Sequence, residues 1–227
     1  MSFLKYKFNT PERWGINSET HLDLGAGSYP RNPFKAKKVI AFDVLDPSEI
    51  SVSSHTNDYV LKYLQVRRYE VFPLGNQSVS SISGFDFLEH LSREPGATGN
   101  EFIFVMNEVF RVLKPGGVAL FVTPAYPLRT AFQDPTHVNI LTHNTYEYFC
   151  GSNPLAQKLG YGFEGKFELL SQFWAGPFSR VWRYPSNANS SGTFRNQINF
   201  SIIRFTEFLR FKFRKTHLVW VLHKPSN

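Results

Sequence analysis

The amino-acid sequence predicts an α/β fold built on an open sheet, and three observations carry that prediction. Short apolar runs alternate with polar or helical stretches along the chain, as strands and crossovers do. One of the runs, His21-Leu-Asp-Leu24, passes directly into Gly25-Ala-Gly27. The next, Val39-Ile-Ala-Phe-Asp43, ends on a carboxylate sixteen residues beyond Gly27. Strand, glycine turn, strand and acid in that order describe the nucleotide end of such a sheet.

The glycines define what the turn can hold. Gly25 and Gly27 let the backbone bend sharply and leave no Cβ between it and a ligand, and Asp43 can accept hydrogen bonds from both hydroxyls of a ribose. An adenosine-containing cofactor follows. A dinucleotide would need a third glycine three residues after the second, opening a long helix aimed at a pyrophosphate. That position is Pro30, Pro33 follows it, and eleven residues, 28–38, separate Gly27 from Val39. Any helix there must be short or broken. No segment reads Gly-x-x-x-x-Gly-Lys-Ser/Thr. An adenosine ligand without a phosphate chain is the reading preferred, and S-adenosylmethionine fits it; a dehydrogenase stays open as the alternative that Pro30 disfavours.

The elements are expected as follows. Strands fall near 20–24, 38–43, 79–85 and 118–123. Between the first pair and the second pair, 58–61 and 69–72 compete for a third strand, and the first is preferred. Asn100 can cap a helix whose apolar positions 102, 105, 106, 109, 110 and 113 share a face, and Lys114-Pro-Gly-Gly117 stops it. After Pro124 comes a loop, Asp134-Pro-Thr-His137, and a helix opened by Asn144 and Glu147 at capping-box spacing. The runs 167–173 and 218–222 form a final strand pair. Between them, 185–215 reads as an insertion: a polar Ser/Asn/Gly segment, then an amphipathic helix over 198–214 with Ile198, Ile202, Phe205 and Leu209 on one face.

Composition bounds the rest. The 227 residues suit one domain, with 42% hydrophobic and 19% charged residues. One cysteine, Cys150, excludes an internal disulfide. The start of the sequence lacks the uninterrupted apolar core of a signal peptide, and no run reaches the length of a membrane span, so a cytoplasmic protein is expected. The net charge of +7 permits an anionic partner without choosing among nucleic acid, a phosphorylated sugar and a lipid surface.

Four segments, taken together, resemble the class I S-adenosylmethionine-dependent methyltransferases along most of the chain. Asp23-Leu-Gly-Ala-Gly27 is similar to the family's first motif, Asp43 to its ribose acid, Phe85-Asp-Phe-Leu-Glu-His-Leu91 to its segment after strand four, and Phe110-Arg-Val-Leu-Lys-Pro-Gly-Gly117 to its turn before strand five. The resemblance implies a Rossmann-like seven-stranded sheet with helices on both faces and the last strand antiparallel. It implies a cofactor site of Asp23, Gly25, Ala26, Gly27, Asp43, Val44, Gly84 and Phe85. The loop at Asn32-Pro-Phe34 and the Asp134–His137 segment look like the type 11-like branch that modifies glycans and small molecules. The chain departs from the family in two places: Lys62 or Tyr63 falls where relatives carry an acid after strand three, and Ser80 replaces the acid ahead of strand four.

Methyl transfer is a displacement on a sulfonium with a good leaving group, so the protein chiefly positions donor and acceptor and excludes water. A hydroxyl acceptor also needs a base. His137 is the first candidate, with Asp134 near enough in sequence to orient its ring; a plain turn with a solvated histidine is the competing reading. His90 is the second. Asp86, Glu89 and His90 sit where some small-RNA and quinone methyltransferases carry a metal cluster, but the histidine that the RNA enzymes carry three positions on is Arg93 here. No metal is expected, and Glu89 and His90 are read as capping and packing the helix after strand four. The acceptor is expected to be a small molecule, a saccharide or a lipid-linked hydroxyl. Peripheral membrane contact through the 198–214 helix and stacking by Trp174, Trp182 and Tyr184 stay open beside plain packing. Nucleic acid is disfavoured, since Gly84-Phe-Asp-Phe87 stands where a base-gripping Asn/Asp/Ser-Pro-Pro-aromatic tetrad would be. A non-catalytic S-adenosylmethionine-binding protein is the reading outside enzymes.

Overall fold

The computed structural model describes residues 19–50, 59–96, 99–175 and 216–226. Seven strands form one sheet: β1 (Thr20–Leu24), β2 (Lys38–Asp43), β3 (Val60–Gln65), β4 (Val79–Phe85), β5 (Leu113–Pro124), β6 (Glu168–Ala175) and β7 (His217–His223). Their spatial order is β3-β2-β1-β4-β5-β7-β6. The first five run parallel, and β7 runs antiparallel to both β5 and β6. The order reverses at β1, between β2 and β4, which is where an open α/β sheet leaves a crevice at the carboxyl ends of its strands. Leu24 is level with Phe42 on one side and Gly84 on the other, so the glycine turn, Asp43 and Phe85 leave the sheet at one height.

Alternation along the strands divides the core. In β5, Ala119 and Phe121 join the larger cluster with Leu22, Leu24, Phe42, Ile82, Met106 and Trp220, whereas Val118, Leu120 and Val122 join Phe34, Phe85, Val219 and Val221 on the opposite face. Helix α1 (Glu101–Val112) covers the larger cluster with Val105, Met106, Val109 and Val112. It is the only helix longer than four residues among the described ones. Asn100 caps it as the sequence predicts, its side chain accepting from the Phe102 N–H at 2.9 Å. Its outer face also works: Glu108, bonded to Arg111 at 2.6 Å, accepts from the Phe72 N–H, while Arg111 donates to the Phe72 and Leu74 carbonyls. These bonds hold the connection between β3 and β4 against the helix.

Several expectations need correction. The third strand ends at Gln65, so Lys62 and Tyr63 lie inside it, and the residues after it are Val66 and Arg67. No helix of any length joins β1 to β2. Lys114–Gly117 is more than a stop. Pairing with β4 jumps from Val79↔Leu113 to Ser81↔Val118, and Gly116 and Gly117 exchange backbone bonds with Lys224, so the segment belongs to β5 as an irregular arm. The Asn144–Glu147 capping box does not form: the turn Thr145–Tyr148 is a single 3-10 turn with no side-chain cap from Asn144, and Thr145 instead receives the Thr142 N–H. Leu88–His90 is likewise a 3-10 turn rather than the start of a helix. The 198–214 helix, Trp182 and Tyr184 lie outside the described residues.

Candidate active site

The glycine-turn side is built from backbone. Gly25 and Gly27 sit at φ of 65° and 52°, a region that glycine enters without strain. A Cβ on Gly25 would stand 2.8 Å from the Phe87 ring, so the turn is pressed onto that ring and tolerates no side chain. Asp43 braces the turn from the next strand, its Oδ2 accepting from the Gly27 N–H at 2.8 Å and its Oδ1 from the Leu45 N–H at 3.1 Å. Tyr63 completes the brace by donating to the Gly27 carbonyl at 3.1 Å. Beside it opens a cavity of about 290 Å³ whose lining includes Gly25, Asp43, Val44, Val66, Phe104 and His90.

A buried polar chain supports the turn from within the sheet. His21 and Asp23 are fully buried on β1. The His21 ring bonds Ser81 at 2.8 Å and Ser83 at 2.9 Å, and the Ser83 hydroxyl donates to Asp23 Oδ1 at 2.6 Å. Asp23 Oδ2 accepts from the Arg31 N–H at 2.7 Å and so ties down the loop after the glycines. These bonds let β4 bury Ser81 and Ser83 along with its apolar residues. Burial lowers the His21 imidazole to about 3 and raises the Asp23 carboxyl to about 6, with Arg31 and Ser83 holding the latter back.

The other side of the site is built from side chains brought in from three places. The turn after β4 supplies Glu89 and His90, β5 supplies Thr123, and the loop after β5 supplies Asp134, Thr136 and His137. The Glu89 carbonyl receives the N–H groups of Val138 and Asn139, and the Asn139 amide donates to the Leu88 and Leu91 carbonyls. This docking brings the His90 and His137 rings edge to face, 4.8 Å between centres. Glu89 is 1% exposed; its Oε2 accepts from Thr123 at 2.9 Å, and its Oε1 has no partner. Burial raises its carboxyl to about 8, with Asp86 and Asp134 adding to the rise.

Of the residues expected to hold the cofactor, Gly25, Asp43 and Val44 line the cavity. Asp23, Ala26 and Gly27 stand behind it as the turn's support. Gly84 packs against Phe121 and Phe87, and Phe85 lies in the smaller core cluster with the Arg31 guanidinium 4.5 Å from its ring centre. Asp134 takes a different role from the one expected. Its carboxylate accepts from the Thr136 hydroxyl at 2.6 Å, and Thr136 contacts His90 Nδ1 at 3.0 Å, so the ring it orients is that of His90. The His137 ring is set instead by the Ala131 carbonyl, 3.3 Å from Nδ1. Glu89, expected only to cap and pack, faces both histidines, and Phe87, which shapes the glycine turn, was not singled out. The signal for Phe87 lies in its spacing after Gly84, on the strand beside β1.

No protein-family model matches this sequence, and no curated protein matches it. Solved structures do. An S-adenosylmethionine-dependent methyltransferase from Archaeoglobus fulgidus aligns over 94% of this chain and 89% of its own at 13% identity, with a TM-score of 0.53. One from Mesorhizobium loti aligns over 94% and 95% at 13% identity and a TM-score of 0.54. A Haloferax volcanii methyltransferase solved in complex with the Trm112 methyltransferase activator aligns over 95% and 87% at 15% identity and a TM-score of 0.57. The likeness is one of fold, and the strand order with its antiparallel β7 is the class I methyltransferase topology. Among the described residues no helix is long and apolar enough to cross a membrane.

Proposed function

We propose that the protein transfers a methyl group from S-adenosylmethionine to a hydroxyl of a small-molecule, saccharide or lipid-linked acceptor, in the manner of the type 11-like glycan and small-molecule branch. One observation carries the reading: His90 lines the cavity beside the glycine turn and also belongs to the Glu89–His90–His137 cluster, so the donor cavity and a group of bases adjoin. The cavity suits an adenosine. Asp43 keeps acceptor capacity for the ribose hydroxyls beyond its two backbone bonds, and the Gly25 turn presents bare backbone. Val66, Phe72 and Phe104 offer an apolar wall to a purine.

The bound donor supplies a sulfonium methyl, and the remaining chemistry is positioning and proton removal. The acceptor oxygen lies at the histidine end, its proton passes to one imidazole nitrogen of the His90–His137 pair, and the oxygen–methyl bond forms as the sulfur–methyl bond breaks. The products are a methyl ether and the demethylated donor. Asp134 acts one step removed, holding His90 through Thr136. One cysteine in 227 residues fits a reducing, cytoplasmic setting.

Calorimetry with S-adenosylmethionine and Asp43→Ala tests the donor half: binding by the wild type and at least a tenfold loss in the variant are expected. Incubation with methyl-labelled donor and fractionated cell extract tests the transfer, with label expected in an alkali-stable small-molecule or glycan fraction. Equal donor binding by wild type and variant would refute the cofactor assignment. Label confined to nucleic acid would replace the acceptor class.

A further inference from the structure

We infer that a second cavity, beside the first turn of α1, binds a saccharide that carries one anionic group, a carboxylate or a phosphate. The inference rests on the proposed methyl transfer only for its purpose, which is to hold the acceptor by a ring away from the reacting hydroxyl. The site itself stands on what lines the cavity.

The cavity measures about 470 Å³, against about 290 Å³ beside the glycine turn, and sites for small molecules run from about 300 to 1,000 Å³. Its lining holds one cation, Arg93, and no acid. Arg93 is exposed and has neither a hydrogen bond nor an ion pair among the described residues. A single guanidinium with no carboxylate in the lining suits one carboxylate or phosphate, which its planar fork can hold through two bonds. A nucleic-acid strand would need a row of cations along its phosphates, and the lining offers one.

The aromatic part of the wall is displayed rather than packed away. Tyr161 is 53% exposed, yet the loop that carries it is fixed. Its N–H donates to the Ala156 carbonyl at 2.8 Å, and Asn107 of α1 donates to the Gly162 carbonyl and accepts from the Glu164 N–H, both at 2.8 Å. Tyr148 comes from the 3-10 turn that stands in place of the expected helix. A turn of that kind aligns residues three apart, and Thr145 and Tyr148 both line the cavity. The Tyr148 and Tyr161 rings lie 8° from parallel with 6.3 Å between centres. The negative faces of such rings attract the polarised C–H bonds on one side of a pyranose. Neither phenol hydroxyl has a hydrogen-bond partner among the described residues. Asn100 adds a donor, since its Oδ1 is spent on the Phe102 N–H and its amide protons are left for a sugar hydroxyl.

Asn139 connects the two sites. It borders this cavity, and its amide protons go to the Leu88 and Leu91 carbonyls, on either side of Glu89 and His90. His137 is two residues back, at most about 7 Å along the chain. One glycan can therefore rest its acidic ring against the tyrosines and offer a neighbouring hydroxyl to the histidines.

The test uses the full chain and saturation-transfer NMR titrations with glucose, glucuronic acid, glucose 6-phosphate and oligouridylate. One of the two acidic sugars should bind about tenfold more tightly than glucose, and which one it is separates carboxylate from phosphate. Arg93→Gln should erase that preference and leave glucose binding unchanged. Tyr161→Ala should weaken all three sugars by about tenfold. Both side chains are exposed, so thermal melts of the variants should match the wild type. No sugar binding by the wild type, equal binding by the wild type and both variants, or Arg93-dependent binding of oligouridylate in place of the sugars would overturn the site. Calorimetric donor binding on the same samples separates the two readings: donor binding without sugar binding removes only this site, and sugar binding without donor binding removes only the methyl donor.

Discussion

The two sides of the candidate site, proposed as donor end and acceptor end, are made in different ways. At the donor end, Gly25, Gly27 and Asp43 lie within nineteen residues, and the bonds that shape the turn run mostly to backbone: Asp43 to the Gly27 N–H, Asp23 to the Arg31 N–H. At the acceptor end, Glu89 and His137 are 48 positions apart and meet because one loop docks on another. A site made of backbone shape has little tolerance for a Cβ and much for side-chain variation around it. A site made of converging side chains has the opposite sensitivities.

Gly25→Val should cause the largest loss. A left-handed φ and a ring 2.8 Å from the new Cβ both oppose it, so either the turn or Phe87 must move. Donor binding is expected to fall by more than about 100-fold, on the order of 3 kcal/mol, and calorimetry would show it. Binding within about threefold of the wild type would mean that the turn is not pressed onto the donor. Gly27→Ala is a useful contrast, because its Cβ would meet nothing within 4 Å and only the φ of 52° opposes it.

Asn139→Ala reverses the pattern. Asn139 is a positioning residue that touches neither donor nor acceptor; its amide bonds to the Leu88 and Leu91 carbonyls, while two backbone N–H groups stay on the Glu89 carbonyl. The loop therefore loosens without detaching. Turnover is expected to drop about tenfold, or about 1.4 kcal/mol, with donor affinity unchanged. Asn139→Gln should not restore the rate, since the longer side chain overshoots both carbonyls. Loss of donor affinity in Asn139→Ala would show that the two ends are not separable in this way.

The same contrast explains what could be read from the sequence. The sheet order was legible only through the resemblance, whereas the glycine turn and the Asn100 cap are local patterns, and local patterns survive in one dimension. The meeting of His90 with His137 does not. The resemblance places a further histidine three positions after His90, where this chain has Arg93, but Leu88–His90 is a 3-10 turn after which the chain extends, and the histidine that meets His90 comes from the loop after β5. Asp134 was assigned to His137 by nearness in sequence, yet Thr136 turns its charge towards His90. The capping box at Asn144 failed for a related reason: Thr142 and Thr145 offered a closer bond that kept the segment to one turn. Glu89 reads as packing in the sequence because the residues it meets besides His90, Thr123 and His137, come from β5 and the loop after it.

The smallest expected effect tests the polar chain behind the donor turn, and it concerns slope rather than size. Asp23 titrates near 6 in the folded state, above its unfolded value near 3.8, so between those pH values the folded state holds the extra proton. Its contribution to stability is full below about pH 4 and is lost as pH rises through 6. His21 is opposite. It titrates near 3 when folded and near 6.5 when unfolded, so the unfolded state holds the extra proton, and stability is lost as pH falls from 6.5 towards 3. The two slopes oppose each other between about pH 4 and 6, and the wild type keeps there the slope set by its other groups, among them Glu89, whose raised carboxyl makes stability fall with rising pH. Asp23→Asn removes a falling slope, and its melting temperature should climb with pH relative to the wild type across that window. His21→Gln removes a rising slope, and its melting temperature should fall relative to the wild type. Both variants lose a hydrogen bond and start lower, but an offset does not alter a slope. Thermal melts at pH 4, 5, 6 and 7 decide the matter, and three parallel profiles would mean that burial does not set these two protonation states. Divergent profiles would show that the donor turn, though shaped by backbone, depends on a neutral imidazole two strands deep in the sheet.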